Sequence, residues 1–177
     1  MWVTLPDRWV IGLNIIAWLF FHLAISVWML KVPDTVYKQD SRWFQPFKWE
    51  KDGKVWDQWF KIRAWKHYLP DSSSILKDAY NKKHLKGLDA STLEKFIIET
   101  KRGEQTHWLS MLPAPLFFIW NPAWAGWVMV VYALLANLPF IITQRYNRPR
   151  LVRLYQRIRS VELDQQRQMR FYPKESS

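Results

Sequence analysis

Polarity along the chain comes in blocks. From Trp9 to Leu30, "WVIGLNIIAWLFFHLAISVWML", 22 residues pass without a formal charge, close to the roughly 20 that a helix needs to cross about 30 Å of hydrocarbon. This predicts a transmembrane helix over 9–30. A cleaved signal peptide fits less well: the apolar run is long, Asp7 and Arg8 before it carry no net charge, and no A-x-A-like site follows. The second block, Leu109 to Thr143, runs 35 residues without a formal charge, which is too long for one span and short for two. Pro113, Pro115, Asn121 and Pro122 divide it. Spans over 107–120 and 123–143 are expected, joined by a tight turn at "WNPAW"; the alternative is a first leg that enters the bilayer and turns back.

The polar stretches carry helical signals of their own. In "KVWDQWFKIRAWKHYL", Val55, Trp56, Trp59, Phe60 and Arg63 recur at helical spacing, which predicts a short helix lying in the membrane interface, aromatic side down. "STLE" at 91–94 has the S-x-x-E form of a capping box, so a helix is expected to begin at Ser91 and run to Leu112, where Pro113 ends it. Projected at about 100° per residue, Leu93, Phe96, Ile97, Thr100, Glu104, His107, Trp108 and Met111 share one broad face of that helix. Beyond Thr143, Leu151, Leu154, Tyr155 and Ile158 form an apolar stripe among arginines, the pattern of a basic amphipathic helix resting on a leaflet. The fold class that follows is an all-α integral membrane protein with about three transmembrane helices. One single membrane domain is expected: an N-terminal span, a cytoplasmic and interfacial region over 31–106, the hairpin, and a basic tail over 144–177.

Charge sets the orientation. Of a formal net charge of +11, most lies beside the spans: 16 Lys and Arg against 11 Asp and Glu over 31–106, and 9 against 3 over 144–177. Under the positive-inside rule both regions are cytoplasmic, which places the N-terminus outside and the C-terminus inside a multi-pass protein of the inner (cytoplasmic) membrane. Basic flanks of this kind attract anionic lipid head groups, so membrane lipids are expected partners. With no recognition fold to carry the charge, nucleic acid is not one. Several of the 13 tryptophans, Trp2, Trp9, Trp28, Trp108, Trp120 and Trp124, fall near span ends, where amphipathic rings prefer to lie. Cysteine is absent, which removes disulfides, thiol nucleophiles and thiolate-bound metals.

Candidate chemistry therefore rests on other side chains. Glu104 interrupts an apolar stripe with His107 three residues on, its neighbour on that face. A carboxylate that fixes the tautomer of a histidine makes it a better base toward a hydroxyl, and ionisable groups at a membrane threshold are functional candidates. A second pair, His67 and Asp71 in "HYLPD", resembles the H-x4-D motif of glycerolipid acyltransferases, one residue short and with Pro70 between. His84 in "KKHLKG" stands alone in a loop, and His22 lies mid-span among aromatics. The four histidines are too dispersed for a di-iron or zinc site, so no metal is expected. "QRYNRPR" sets Arg145, Asn147, Arg148 and Arg150 just past the last span, and arginine forks of this kind bind phosphate.

The strings "FKWEKDGKVWDQWFKIRAWKHYLPD", "KKHL", "EKFIIETKRGEQTHWLSMLP" and "YALLANLPFIITQRYNRPRL" together resemble the glycosyl-4,4'-diaponeurosporenoate acyltransferase family, small membrane enzymes at the end of staphyloxanthin-type carotenoid synthesis. The resemblance runs from about Val32 to Leu154. It is carried by Trp65, His67, Asp71, His84, Glu99, Arg102, Glu104, His107, Arg145, Asn147 and Arg150, with Gly103 where the family leads one to expect Ala. It implies transfer of a fatty acyl group to the C6 hydroxyl of the glucose of a glycosylated carotenoid acid at the inner leaflet. The co-substrate is then an acyl thioester on coenzyme A or on acyl carrier protein, with no bound cofactor. Catalysis falls to His107 with Glu104 or to His67 with Asp71. Arg102, Arg145, Asn147, Arg148, Trp65, Glu99 and His84 are the candidates for binding substrate. Two other readings stay open at this point: acylation of another membrane glycolipid, and a lipid-binding scaffold without catalysis.

Overall fold

The computed structural model describes residues 6–39, 41–69 and 89–171. Among these residues every regular element is helical: α1 (Asp7–Lys31), α2 (Thr35–Lys38), α3 (Lys54–Phe60), α4 (Ile62–Trp65), α5 (Ala90–Met111) and α6 (Ala123–Phe171), with 3₁₀ turns at Arg42–Phe44, Lys48–Glu50, Lys66–Tyr68 and Ala114–Ile119. The chain divides into two compact units. The first takes residues 1–45 and 101–144, the second 46–100 and 145–177, so α5 and α6 each contribute to both.

In the first unit, α1 packs through one face only. Trp18 is 6% exposed and joins Ala114, Phe117 and Ala133 in a core, stacked on Phe117 with ring centroids 4.5 Å apart. Its indole N–H points to the Met129 sulfur at 3.3 Å. Four residues earlier, Asn14 and Asn121 bond reciprocally through their amides at 3.0 and 2.8 Å, and the Trp120 indole N–H donates to Asn14 Oδ1 at 2.8 Å. Such pairing satisfies polar groups that an apolar surround would otherwise penalise. The outer face of α1 (Ile11, Ile15, Ile16, Leu19, Phe20, Leu23) is exposed and apolar. Two helices, Arg8–Lys31 and part of Ala123–Phe171, are long and apolar enough to cross a membrane, and side chains of this character facing outward fit membrane association.

The expected first leg over 107–120 is not one helix. α5 ends at Met111, and Pro113 opens a 3₁₀ segment, Ala114–Ile119, before the turn at Asn121, because proline has no N–H to continue the ladder. Gly126 lets that segment lie close to α6: a Cβ there would fall 2.5 Å from the Phe118 ring.

The second unit corrects the expected tail. The helix that begins at Ala123 does not stop at Thr143 but continues unbroken to Phe171, through Pro139 and Pro149. The stripe expected to rest on a leaflet is instead covered by protein: Leu151, Leu154, Tyr155 and Ile158 pack against Leu93, Phe96 and Ile97 of α5. Two amphipathic faces of matching period remove more apolar surface from water by meeting each other. Pro149 leaves the Arg145 carbonyl without its i+4 donor, and it is against the Arg145 and Tyr146 carbonyls that Gly53 lies. Gly53 has φ +80°, and a Cβ there would sit 3.1–3.2 Å from those backbone atoms. Both conditions favour glycine.

The start of α5 also differs from expectation. The cap is Asp89, whose Oδ1 accepts the Thr92 N–H at 3.1 Å and whose Oδ2 accepts the Ser91 hydroxyl at 2.6 Å. Ser91 is thus already inside the helix, which starts at Ala90, and Glu162 Oε1 accepts the Ala90 N–H at 3.0 Å. These bonds hold the Asp89 carboxyl at about 2, against an ordinary 3.8.

Candidate active site

His107 lies in the first unit, on the last turns of α5. Its Nδ1 is 2.9 Å from Asn137 Oδ1, and its ring stacks on Phe140 with centroids 4.5 Å apart and planes 11° from parallel. Asn137 is buried, and its Nδ2 donates to the Ala133 carbonyl at 2.9 Å, one turn back in α6. That bond fixes which end of the amide faces the histidine. Since Oδ1 only accepts, the neutral imidazole carries its proton on Nδ1 and a lone pair on Nε2. The same orienting role is played by asparagine beside the catalytic histidine of papain-like proteases.

The expected orientation of His107 by Glu104 is thus replaced. Glu104 is fully buried, and its Oε1 accepts the Trp108 indole N–H at 3.4 Å. Residues three apart on a helix are offset by about 60°, residues four apart by about 40°; Glu104 meets its i+4 neighbour, while His107 turns to α6. Trp108 in turn meets Trp43 edge to face, ring centroids 6.4 Å apart.

On the next turn toward the helix start, Arg102 pairs with Asp34 and donates to the Val32 carbonyl at 3.2 Å. Its guanidinium lies 5.4 Å from the Tyr37 ring centroid. Lys101 donates to the Tyr37 carbonyl at 2.7 Å, and the Tyr37 hydroxyl donates to Gln105 Oε1 at 2.8 Å. Arg102, a substrate-binding candidate, therefore also ties α5 to the segment that follows α1.

The second unit gathers the arginines of "QRYNRPR". Arg145 makes a buried ion pair with Glu50 at 2.7 Å, and the other Glu50 oxygen accepts the Phe47 N–H at 3.2 Å. Arg148 donates to the Thr100 hydroxyl at 3.0 Å and to its carbonyl at 2.9 Å. Asn147 is fully buried and accepts from Lys66 Nζ at 3.2 Å, while Arg150 stacks over the Tyr146 ring. The Tyr146 hydroxyl accepts from Arg63 Nε at 3.2 Å. Trp65 donates its indole N–H to the Phe60 carbonyl at 2.7 Å, closing the α3–α4 corner. Glu99 is exposed on α5. His67 sits on the 3₁₀ turn Lys66–Tyr68; its side chain, Asp71 and His84 lie outside the described residues. Among the described residues no group of three or more His, Asp or Glu is placed to hold a metal ion.

Sequence reasoning missed Asn137, Glu50, Lys66 and Lys101. Asn137 had a signal: it is the one amide inside "YALLANLPFIIT", where an unpaired polar group is costly. Glu50 had none, because its partner lies 95 residues away in the chain.

The sequence pattern of the glycosyl-4,4'-diaponeurosporenoate acyltransferase family matches residues 40–157. Two glycosyl-4,4'-diaponeurosporenoate acyltransferases of Staphylococcus aureus, from strains bovine RF122 / ET3-1 and USA300, are each 41% identical over 137 residues, which is 77% of this chain and 82% of theirs. This chain belongs to that acyltransferase family. No solved structure matches it. The matched region of the acyltransferase holds His107, Asn137, the Glu50–Arg145 pair and Asn147, whereas α1, Asp34 and Tyr37 precede it.

Proposed function

We propose that the acyltransferase esterifies the glucose C6 hydroxyl of a glycosylated carotenoid acid with a fatty acyl group, drawing that group from a thioester on coenzyme A or acyl carrier protein. Membership of the family supports the reaction class, and the bond between His107 Nδ1 and Asn137 Oδ1 supports the assignment of the base. His107 Nε2 takes the hydroxyl proton as the sugar oxygen forms a bond to the thioester carbonyl carbon. The tetrahedral intermediate collapses with breakage of the C–S bond, and the proton leaves with the thiol. Arg102, in the same unit as His107, is the residue we assign to the donor's phosphates or to the developing oxyanion. The enzyme acts in the inner membrane with three crossings, N-terminus outside, which the basic character of 31–106 and 144–177 supports.

Lipid profiling tests the reading. Membranes of cells that supply the glycosylated precursor gain, with the full chain present, a coloured product heavier by one fatty acyl group that mild alkali converts back to precursor. Unchanged precursor at normal protein levels refutes acyl transfer to it. A product lacking the carotenoid chromophore assigns the enzyme to another glycolipid.

A further inference from the structure

We infer that Trp43 and Trp108 form the platform that receives the sugar ring of the acceptor, an inference that rests on the acyl-transfer reading above. A pyranose is polar at its rim and apolar on the faces that carry its axial C–H bonds, so an open aromatic face is the surface that suits it. Trp43 is 56% exposed and Trp108 36% exposed, and they meet edge to face at 72°. That geometry covers one ring's face with the other's edge and keeps aromatic surface open to a ligand. Trp108 is not loosely placed: its indole N–H is held by Glu104, whose side chain is buried. Trp108 and His107 are successive residues on the last turns of α5, about 100° apart around the helix with Glu104 between them in projection.

This gives Glu104 a different part from the one its sequence position suggests. It is a positioning residue for the platform rather than for the histidine. The other exposed aromatic array, with Phe47 stacked on Trp49 and Trp49 on Trp59, lies in the second unit, where Phe47 also carries the Arg145 guanidinium 4.9 Å from its ring centroid, whereas Trp43, Trp108 and the proposed base belong to the first. A tryptophan serving only as an interfacial anchor would affect how the protein sits in lipid. It would not affect discrimination between a sugar-bearing ligand and its aglycone.

The test uses the full chain in lipid nanodiscs and two probes, glycosyl-4,4'-diaponeurosporenoate and its aglycone, in equilibrium binding. Wild type binds the glycosylated probe more tightly than the aglycone. Trp43→Ala and Trp108→Ala weaken binding of the glycosylated probe by about tenfold and leave the aglycone unchanged, which also reports that the variants are folded. Trp108→Phe, which keeps a ring, retains most of the difference. In the transfer assay the same alanine variants raise KM for the acceptor and leave KM for the donor unchanged. The proposal is overturned if wild type shows no preference for the glycosylated probe, if the alanine variants keep that preference, or if they lose both probes equally. Because binding is read without turnover, failure of the platform and failure of the acyl-transfer reading give different results.

Discussion

The apolar helices of the first unit and the second unit satisfy their polar groups by different means, while the Lys101, Arg102 and Glu104 stretch of the first unit carries charge as the second does. In the first, among apolar spans, the buried contacts of Asn14, Asn121, Asn137 and His107 are neutral: amides bond reciprocally, an imidazole meets an amide oxygen, and indole N–H groups fill the remaining acceptors. In the second, buried groups are charged and opposed, as Arg145 against Glu50, or cationic on backbone and hydroxyl oxygen, as Arg148 on Thr100. The physics behind the difference is desolvation. A neutral dipole loses less than a charge when water is removed and one or two hydrogen bonds restore it, whereas a charge loses several kcal/mol and must regain it from a close partner. Neutral contacts suit helices with outward-facing apolar side chains, and a region rich in Lys and Arg can use charged ones.

That contrast can be broken by substitution, and the charged unit is expected to suffer most. Glu50→Ala removes the carboxylate that the buried Arg145 guanidinium meets at 2.7 Å and costs about 3–5 kcal/mol of unfolding free energy, measured in mixed micelles; a loss under 1 kcal/mol makes the pair incidental. Asn14→Ala is the matching change among the neutral contacts of the first unit. It strands the Trp120 N–H and Asn121 Oδ1, with an expected loss of about 1–3 kcal/mol in the same titration. Equal losses for the two variants would erase the distinction between the units.

Gly103 sharpens the comparison from the other side. Among the described residues a Cβ there meets only the Gln144 side chain at 3.6 Å, an ordinary contact, so Gly103→Ala raises stability by about 0.5–1 kcal/mol through helix propensity. A drop instead means that this part of α5 is packed more tightly than its contacts indicate.

The smallest effect is a pH dependence at the start of α5. The carboxyl of Asp89 is lowered to about 2 from 3.8, so its capping contribution is fully present above about 3.8 and is lost as pH falls toward about 2. Helicity of the wild type declines across that window, and Asp89→Asn, which caps without titrating, removes that part of the decline. An unchanged profile in the variant assigns the decline to other groups.

The residues differ in how far they declared themselves in sequence. The first helix was legible from its uncharged length, and α1 matches the expected 9–30 within two residues at its start and one at its end. The break at Pro113 and the turn at Asn121 followed from residues that cannot continue a helix. The end of the uncharged run at Thr143 misled: it marks where charge begins, while α6 continues to Phe171 and packs Leu151, Leu154 and Ile158 on α5. Ser91 and Asp89 both suit a cap, and local sequence does not choose between them. His107 stood out as an ionisable group at a membrane threshold. Its partner did not, since helical spacing favoured Glu104 while Asn137 is distant in sequence and close only once α5 and α6 pack.

The decisive measurement is the rate of acyl transfer to the glycosylated acceptor by wild type, His107→Gln and His67→Gln at equal protein levels in membranes. With His107 as the base held by Asn137, His107→Gln loses about 10²–10⁴-fold in rate and His67→Gln retains activity within a few-fold of wild type. A His107→Gln enzyme that transfers at the wild-type rate, with His67→Gln inactive, contradicts that assignment and moves the base to His67.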